Sequence, residues 1–280
     1  MTETAARYDR IAAGYARWWA PVLAPRATAL LDWLEPAVAG GARRLLDIGT
    51  GGGTLAIAAI RRWPSVQIVG IDASSGMAEL AEAEADRLLS PADRARFEVR
   101  VGFADEMPFE PGAFDTAMSS FVFQLVPNRA RALREARRVV RSGGLLAYVT
   151  WLRDSRVFQP DVEFDAVLDE LGVEGFDDDG DDADCGGRRG DVPSVEAAAA
   201  QLRRAGFRDV RAEAATLEHA FDVEDYVRFM AEFDEEDLVS GLEDDLRRQL
   251  IDRLRSRLSA LPRDSLVLKL PVVAAAGRRG

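Results

Sequence analysis

Leu45-Leu46-Asp47-Ile48-Gly49-Thr50-Gly51-Gly52-Gly53-Thr54-Leu55 is the stretch on which the reading of this chain turns. Leu45 to Ile48 is a short apolar run of the kind that fills a buried strand. Four closely spaced glycines follow, and Thr54-Leu55-Ala56-Ile57-Ala58-Ala59-Ile60 then suits a helix. Strand, glycine turn, helix is the entry to a nucleotide-binding βαβ unit. Glycine serves such a turn by accepting positive φ and by letting a ligand approach bare main chain.

The spacing is D-x-G-x-G-x-G, through Asp47, Gly49, Gly51 and Gly53, and not the G-x-G-x-x-G of dinucleotide enzymes. It resembles motif I of the class I S-adenosylmethionine-dependent methyltransferases. Downstream, Val66-Gln67-Ile68-Val69-Gly70-Ile71-Asp72 reads as a second strand rich in β-branched residues. Asp72 falls roughly 20 residues past the glycine turn, where a ribose-binding carboxylate belongs. An ionised carboxylate accepts several hydrogen bonds, enough for two ribose hydroxyls. The other reading of Asp72 is a helix cap, a role that Ser74 or Ser75 can fill instead.

Two further segments carry the resemblance. Gly102-Phe103-Ala104-Asp105-Glu106-Met107-Pro108-Phe109 is similar to the family's G-D-A-x-x-L-P-F, with Phe103 in place of the usual acid. Either Phe103 stacks on the adenine or Asp105 supplies the missing acceptor. Glu135 to Gly144 is similar to E-x-x-R-V-L-R-P-G-G, with Ser142 replacing proline. It joins an amphipathic helix over 129–141 to a strand over 145–150.

The resemblance implies a Rossmann-like α/β three-layer sandwich. Its sheet has seven mostly parallel strands, the last antiparallel. A single methyltransferase domain would span 1–280, with a core at about 36–151, 193–214 and 264–280. Segments 1–35, 152–192 and 215–263 would form a helical cap. The implied cofactor is S-adenosyl-L-methionine. Asp47, Gly49, Thr50, Gly51 and Gly53 would meet its methionine end. Asp72 and Ala73 would hold the ribose, and Met77, Phe103, Ala104 and Asp105 the adenine. Ser119, on the fourth strand Phe114–Ser120, completes the set. Tyr8, Ile11, Tyr15 and Trp18 share a helical face. They serve either as core or as a lid, in which Tyr15 would present an aromatic face to the sulfonium.

The reaction implied is displacement of methyl from sulfonium sulfur by O, N or C. Orientation alone can contribute roughly 7–11 kcal/mol to such a step. No catalytic base is assigned. His219 is the only histidine and reads as an ordinary strand-end residue, and Gln124 cannot act as a base at neutral pH.

Composition narrows the partners. A net charge of -12 opposes binding to phosphate backbones. Neither the N/D-P-P-Y loop of amino-methylating DNA enzymes nor a Pro-Cys nucleophile is present, which favours a small-molecule acceptor. One cysteine, Cys185, excludes an internal disulfide and suits a reducing compartment. With one histidine as well, no metal site is expected. The acidic run at 177–184 matches no calcium-loop spacing. No segment reaches the roughly 20 apolar residues of a membrane span. The expectation is a soluble, cytoplasmic protein, with room for a homodimer. Two other readings stay open: a non-catalytic S-adenosylmethionine-binding protein, and a nicotinamide-dependent oxidoreductase.

Further on, helices are expected over 160–171, 195–205, 222–233 and 238–261. A last strand is expected over 266–274, with a fraying tail at 277–280.

Overall fold

The computed structural model describes residues 3–173 and 191–280. The acidic run at 177–184 and Cys185 lie outside the described residues. The chain divides into two compact units. The first draws on described residues within 1–152, 190–215 and 271–280, and the second on 153–189 and 216–270.

Seven strands form one sheet: β1 (Arg44–Ile48), β2 (Gln67–Asp72), β3 (Phe97–Val101), β4 (Phe114–Ser120), β5 (Val140–Trp151), β6 (Phe207–Ala220) and β7 (Val267–Arg279). Their order is β3-β2-β1-β4-β5-β7-β6. Pairings from β3 across to β5 are parallel, and β7 runs antiparallel to β5. This is the sheet expected from the sequence. Its central strands are apolar on both sides because helices cover both faces. Leu46, Ile48 and Ala117 pack into one layer; Leu45, Ile68 and Met118 pack into the other.

The helices are α1 (Glu3–Gly14), α2 (Ala20–Ala29), α3 (Leu31–Ala39), α4 (Thr54–Arg62), α5 (Ser75–Leu88), α6 (Pro91–Arg94), α7 (Arg129–Val139), α8 (Gln159–Leu171), α9 (Val195–Arg204), α10 (Val223–Phe229), α11 (Glu236–Gly241) and α12 (Asp244–Ala260). Pro21 and Pro25 do not break the N-terminal helical stretch. A π-helical segment, Tyr15–Trp19, links α1 to α2. Pro21 follows directly on this π-helical segment, where its missing N–H costs the continuous helix one bond, and Pro25 lies inside α2.

Three other boundaries differ from expectation. The segment over 238–261 is two helices, because the chain leaves α11 at Gly241 before α12 starts. Strand β5 starts at Val140, five residues early, and its register against β4 shifts between Phe114 and Thr116. The C-terminal tail does not fray: Gly277 and Arg278 stand in register with Leu146 and Leu145. The Arg279 guanidinium also donates to the carbonyls of Arg138 and Val140, at 2.8 and 2.6 Å. Composition alone could not reveal that the tail completes a buried sheet pairing.

The second unit has its own core. Leu250, Leu254 and Leu258 are buried at every fourth position of α12. The buried Tyr226 donates its hydroxyl to Asp161 at 2.6 Å, and its ring meets Phe221 and Phe229. His219 lies edge-on to Phe221 in this unit, and burial lowers its pKa.

Candidate functional site

The glycine loop is a set of positive-φ turns. Gly49, Gly51 and Gly53 have φ of 67°, 52° and 80°, a region that disfavours any side chain with a Cβ. The amides of Gly49 and Thr50 both donate to the Ile71 carbonyl, at 2.7 and 3.0 Å. This ties the loop to the end of β2. The glycines do different work. A Cβ on Gly49 would overlap the γ-methyls of Val122, whereas one on Gly51 would meet nothing within 4 Å. Only at Gly51 is the bare main chain turned to open space.

Asp72 stands at the carboxyl end of β2. Its Oδ2 accepts from the Gly51 amide at 2.8 Å and its Oδ1 from the Ser74 amide at 3.0 Å. An ionised carboxylate has about four acceptor sites, so these bonds leave it acceptor capacity toward the cavity. Burial raises its pKa, and these backbone bonds oppose the shift. Ser74 caps α5 by accepting from the Met77 amide at 3.0 Å, so the capping and cofactor readings fall to separate residues.

These groups enclose a cavity of about 160 Å³ within the first unit. Gly49, Gly51, Asp72, Ala73, Met77, Phe103, Ala104, Asp105 and Tyr15, all expected at the site, line it. Four other expected residues stand behind the wall. Thr50 lines a smaller adjoining hollow. Gly53 starts α4, and its missing Cβ makes room for Ile57 and Ala81. Ser119 is fully buried and donates to the Ile48 carbonyl at 2.8 Å; its neighbour Ser120 faces the cavity instead. Asp47 is buried below the loop, where its Oδ2 accepts from the Thr50 hydroxyl at 2.9 Å and its Oδ1 has no partner. Burial pushes the Asp47 carboxyl up to about 7; the Thr50 bond opposes this and nearby Asp72 adds to it.

Helix α1 supplies walls that the motif reading missed. Thr4, Ala5 and Tyr8 line the cavity, and Tyr8 meets Tyr15 edge-on at 5.9 Å. Asp9 fixes that helix to the start of α5, accepting from the Ser74 hydroxyl at 2.6 Å and the Gly76 amide at 2.8 Å. These bonds hold its carboxyl below the usual range. Burial pushes the Tyr15 phenol above its ordinary pKa and keeps it neutral. The exit of β4 supplies Phe121, Val122, Leu125, Val126 and Pro127. No motif signals these residues, because they are selected by shape.

The wall has a clear chemical character. Asp72 and Asp105 are its charged groups, and no lysine, arginine or histidine is among the lining residues. Such a wall suits a sugar-bearing cation better than a ligand with two phosphates. The open main chain at Gly51, the spare lone pairs of Asp72 and the tyrosine faces fit an adenosyl sulfonium. Among the described residues no cluster of side chains could hold a metal ion.

Comparison with known proteins agrees with this geometry. Residues 46–148 match a family model described as a methyltransferase domain. The malonyl-[acyl-carrier protein] O-methyltransferase of Geobacter sulfurreducens is 35% identical over 144 residues, 51% of this chain and 48% of that protein. The ubiquinone/menaquinone biosynthesis C-methyltransferase UbiE of Dinoroseobacter shibae is 34% identical over 152 residues, 52% of this chain and 55% of that protein. The chain thus spans about half the length of these curated relatives. Among solved structures, the [4+2]-cyclase SpnF superposes with a TM-score of 0.56 at 20% identity, covering 91% of this chain and 81% of that one. A geranyl diphosphate methyltransferase in complex with S-adenosylmethionine gives 0.51 at 18% identity, covering 91% and 85%. Motif, sheet order and family match agree: residues 46–148 carry a methyltransferase domain, on a sheet with the fold of the class I S-adenosylmethionine-dependent methyltransferases, and S-adenosylmethionine is the cofactor that this domain implies.

Proposed function

We propose that the protein transfers a methyl group to an O, N or C atom of a small-molecule acceptor. The observation that carries this reading is the Asp72 carboxylate, aimed by two backbone amides into a cavity that it shares with Gly51 and Tyr15. When bound, S-adenosylmethionine supplies an electrophilic methyl carbon on a cationic sulfur. Asp72 would hold the ribose hydroxyls, Met77 and Ala104 would flank the adenine, and Gly51 would let the methionine end lie against main chain. Tyr15, kept neutral, would face the positive charge without donating it a proton. The chain's own contribution is then mostly orientation and exclusion of water.

The relatives' names divide between O- and C-methylation, so the attacking atom stays within O, N and C. Acidic charge favours a small molecule over nucleic acid. The proposal includes a cytoplasmic setting. Among the described residues no helix is long and apolar enough to cross a membrane. Homodimerisation is a further expectation, open to light scattering. The rival reading, cofactor binding without methyl transfer, draws support from the fold shared with a cyclase.

The test is release of S-adenosylhomocysteine from S-adenosylmethionine, with a quinol, a free carboxylic acid, an amine, duplex DNA and RNA offered as acceptors. Product above the acceptor-free blank with a small molecule, and none with nucleic acid, is expected. Tight cofactor binding with no turnover on any of them would favour the non-catalytic reading.

A further inference from the structure

The residue that leaves β4 is a backbone outlier at the cavity wall. Phe121 has φ of 55°, a left-handed conformation shared by one other described non-glycine residue, Asp209. Such outliers persist only where their surroundings enforce them. Both peptide groups of Phe121 are held. Its amide donates to the Val149 carbonyl at 2.8 Å. Its carbonyl accepts from the Gln124 side-chain amide at 2.7 Å. The Gln124 carboxamide is oriented in turn by the fully buried Thr150, whose hydroxyl donates to Gln124 Oε1 at 2.6 Å. The Phe121 ring packs on Trp151 with centroids 4.4 Å apart.

The turn has a consequence for the cavity. It brings Ser120, Phe121 and Val122 to the wall, and it seats the Val122 methyls where Gly49 has no side chain. Gln124 itself does not line the cavity. The geometry points to Gln124 as a positioning residue: through the Phe121 carbonyl it holds the left-handed turn that sets this wall against the glycine loop. A hydrogen-bonded carboxamide explains a polar residue here better than proton transfer does, since both of its ends are occupied. The inference rests on the cofactor reading of the cavity.

The test is a double-mutant cycle read by calorimetric titration with S-adenosylhomocysteine, using the full chain, Gln124→Ala, Phe121→Gly and the double variant. Glycine enters the left-handed region without support, so it removes the need for the Gln124 bond. Gln124→Ala is expected to weaken binding by about five- to tenfold, the range of one hydrogen bond. In the Phe121→Gly background the same change is expected to cost less than about twofold. Thr150→Val keeps the shape, removes the orienting hydroxyl and is expected to give a smaller loss in the same direction. It replaces Gln124→Ala in the cycle if that variant does not fold. Equal losses in both backgrounds, or an unchanged affinity in Gln124→Ala, would overturn the inference. Failure of the unmodified protein to bind the ligand would instead overturn the cofactor reading, and the inference with it.

Discussion

Asp47, buried, and Asp72, half-buried, are two carboxyl groups set to different tasks by their surroundings. Asp72 keeps acceptor capacity toward the cavity. Asp72→Ala is expected to weaken S-adenosylhomocysteine binding by about tenfold or more, the scale of charged hydrogen bonds, and Asp72→Asn by less. Titration calorimetry checks both. Asp47 stays below the loop with its carboxyl raised to about 7, first by burial. Between the ordinary value near 3.8 and about 7, the folded protein keeps a proton that the unfolded chain has released. The stability this group contributes is therefore full below about pH 4 and is lost as pH rises to about 7. Melting temperatures measured from pH 5 to 8 should fall more for the unmodified protein than for Asp47→Asn up to about pH 7. Parallel curves would remove Asp47 as the source.

At the scale of elements, the glycine loop and α1 make the site. Gly49→Ala meets both the left-handed backbone and the Val122 methyls. It should cost about 2 kcal/mol or more in denaturant unfolding. Gly51→Ala meets only the backbone term, about 1 kcal/mol, but its methyl enters the cavity, so ligand affinity should fall more than stability. Asp9→Ala removes the bonds to Ser74 and Gly76. Faster amide exchange in α1, with the sheet unchanged, is the expected outcome. The loop, the Asp72 strand and the Gly102–Phe109 segment were legible because φ, charge and spacing leave marks on residue type. Thr4, Val122 and Leu125 were not, since any small or apolar residue fills such a wall. Facing was not legible either: strand alternation turns Ser119 to Ile48 and gives Ser120 the cavity, while Thr50, in the loop, lines the smaller adjoining hollow.

For the whole molecule, the sheet order follows from the parallel crossovers and the antiparallel return of β7. That return includes the last residues of the chain. Deleting 277–280 removes the Leu145 and Leu146 register partners and both Arg279 bonds. The expected cost is about 1–3 kcal/mol, read from denaturant midpoints. Everything said of function depends on this sheet presenting one carboxylate and one stretch of bare main chain to an adenosyl sulfonium. Calorimetric titration of the folded protein with S-adenosylmethionine and with S-adenosylhomocysteine tests that directly. Micromolar, single-site binding of both is the predicted result; no heat with either, or binding of a nicotinamide dinucleotide in their place, would contradict it.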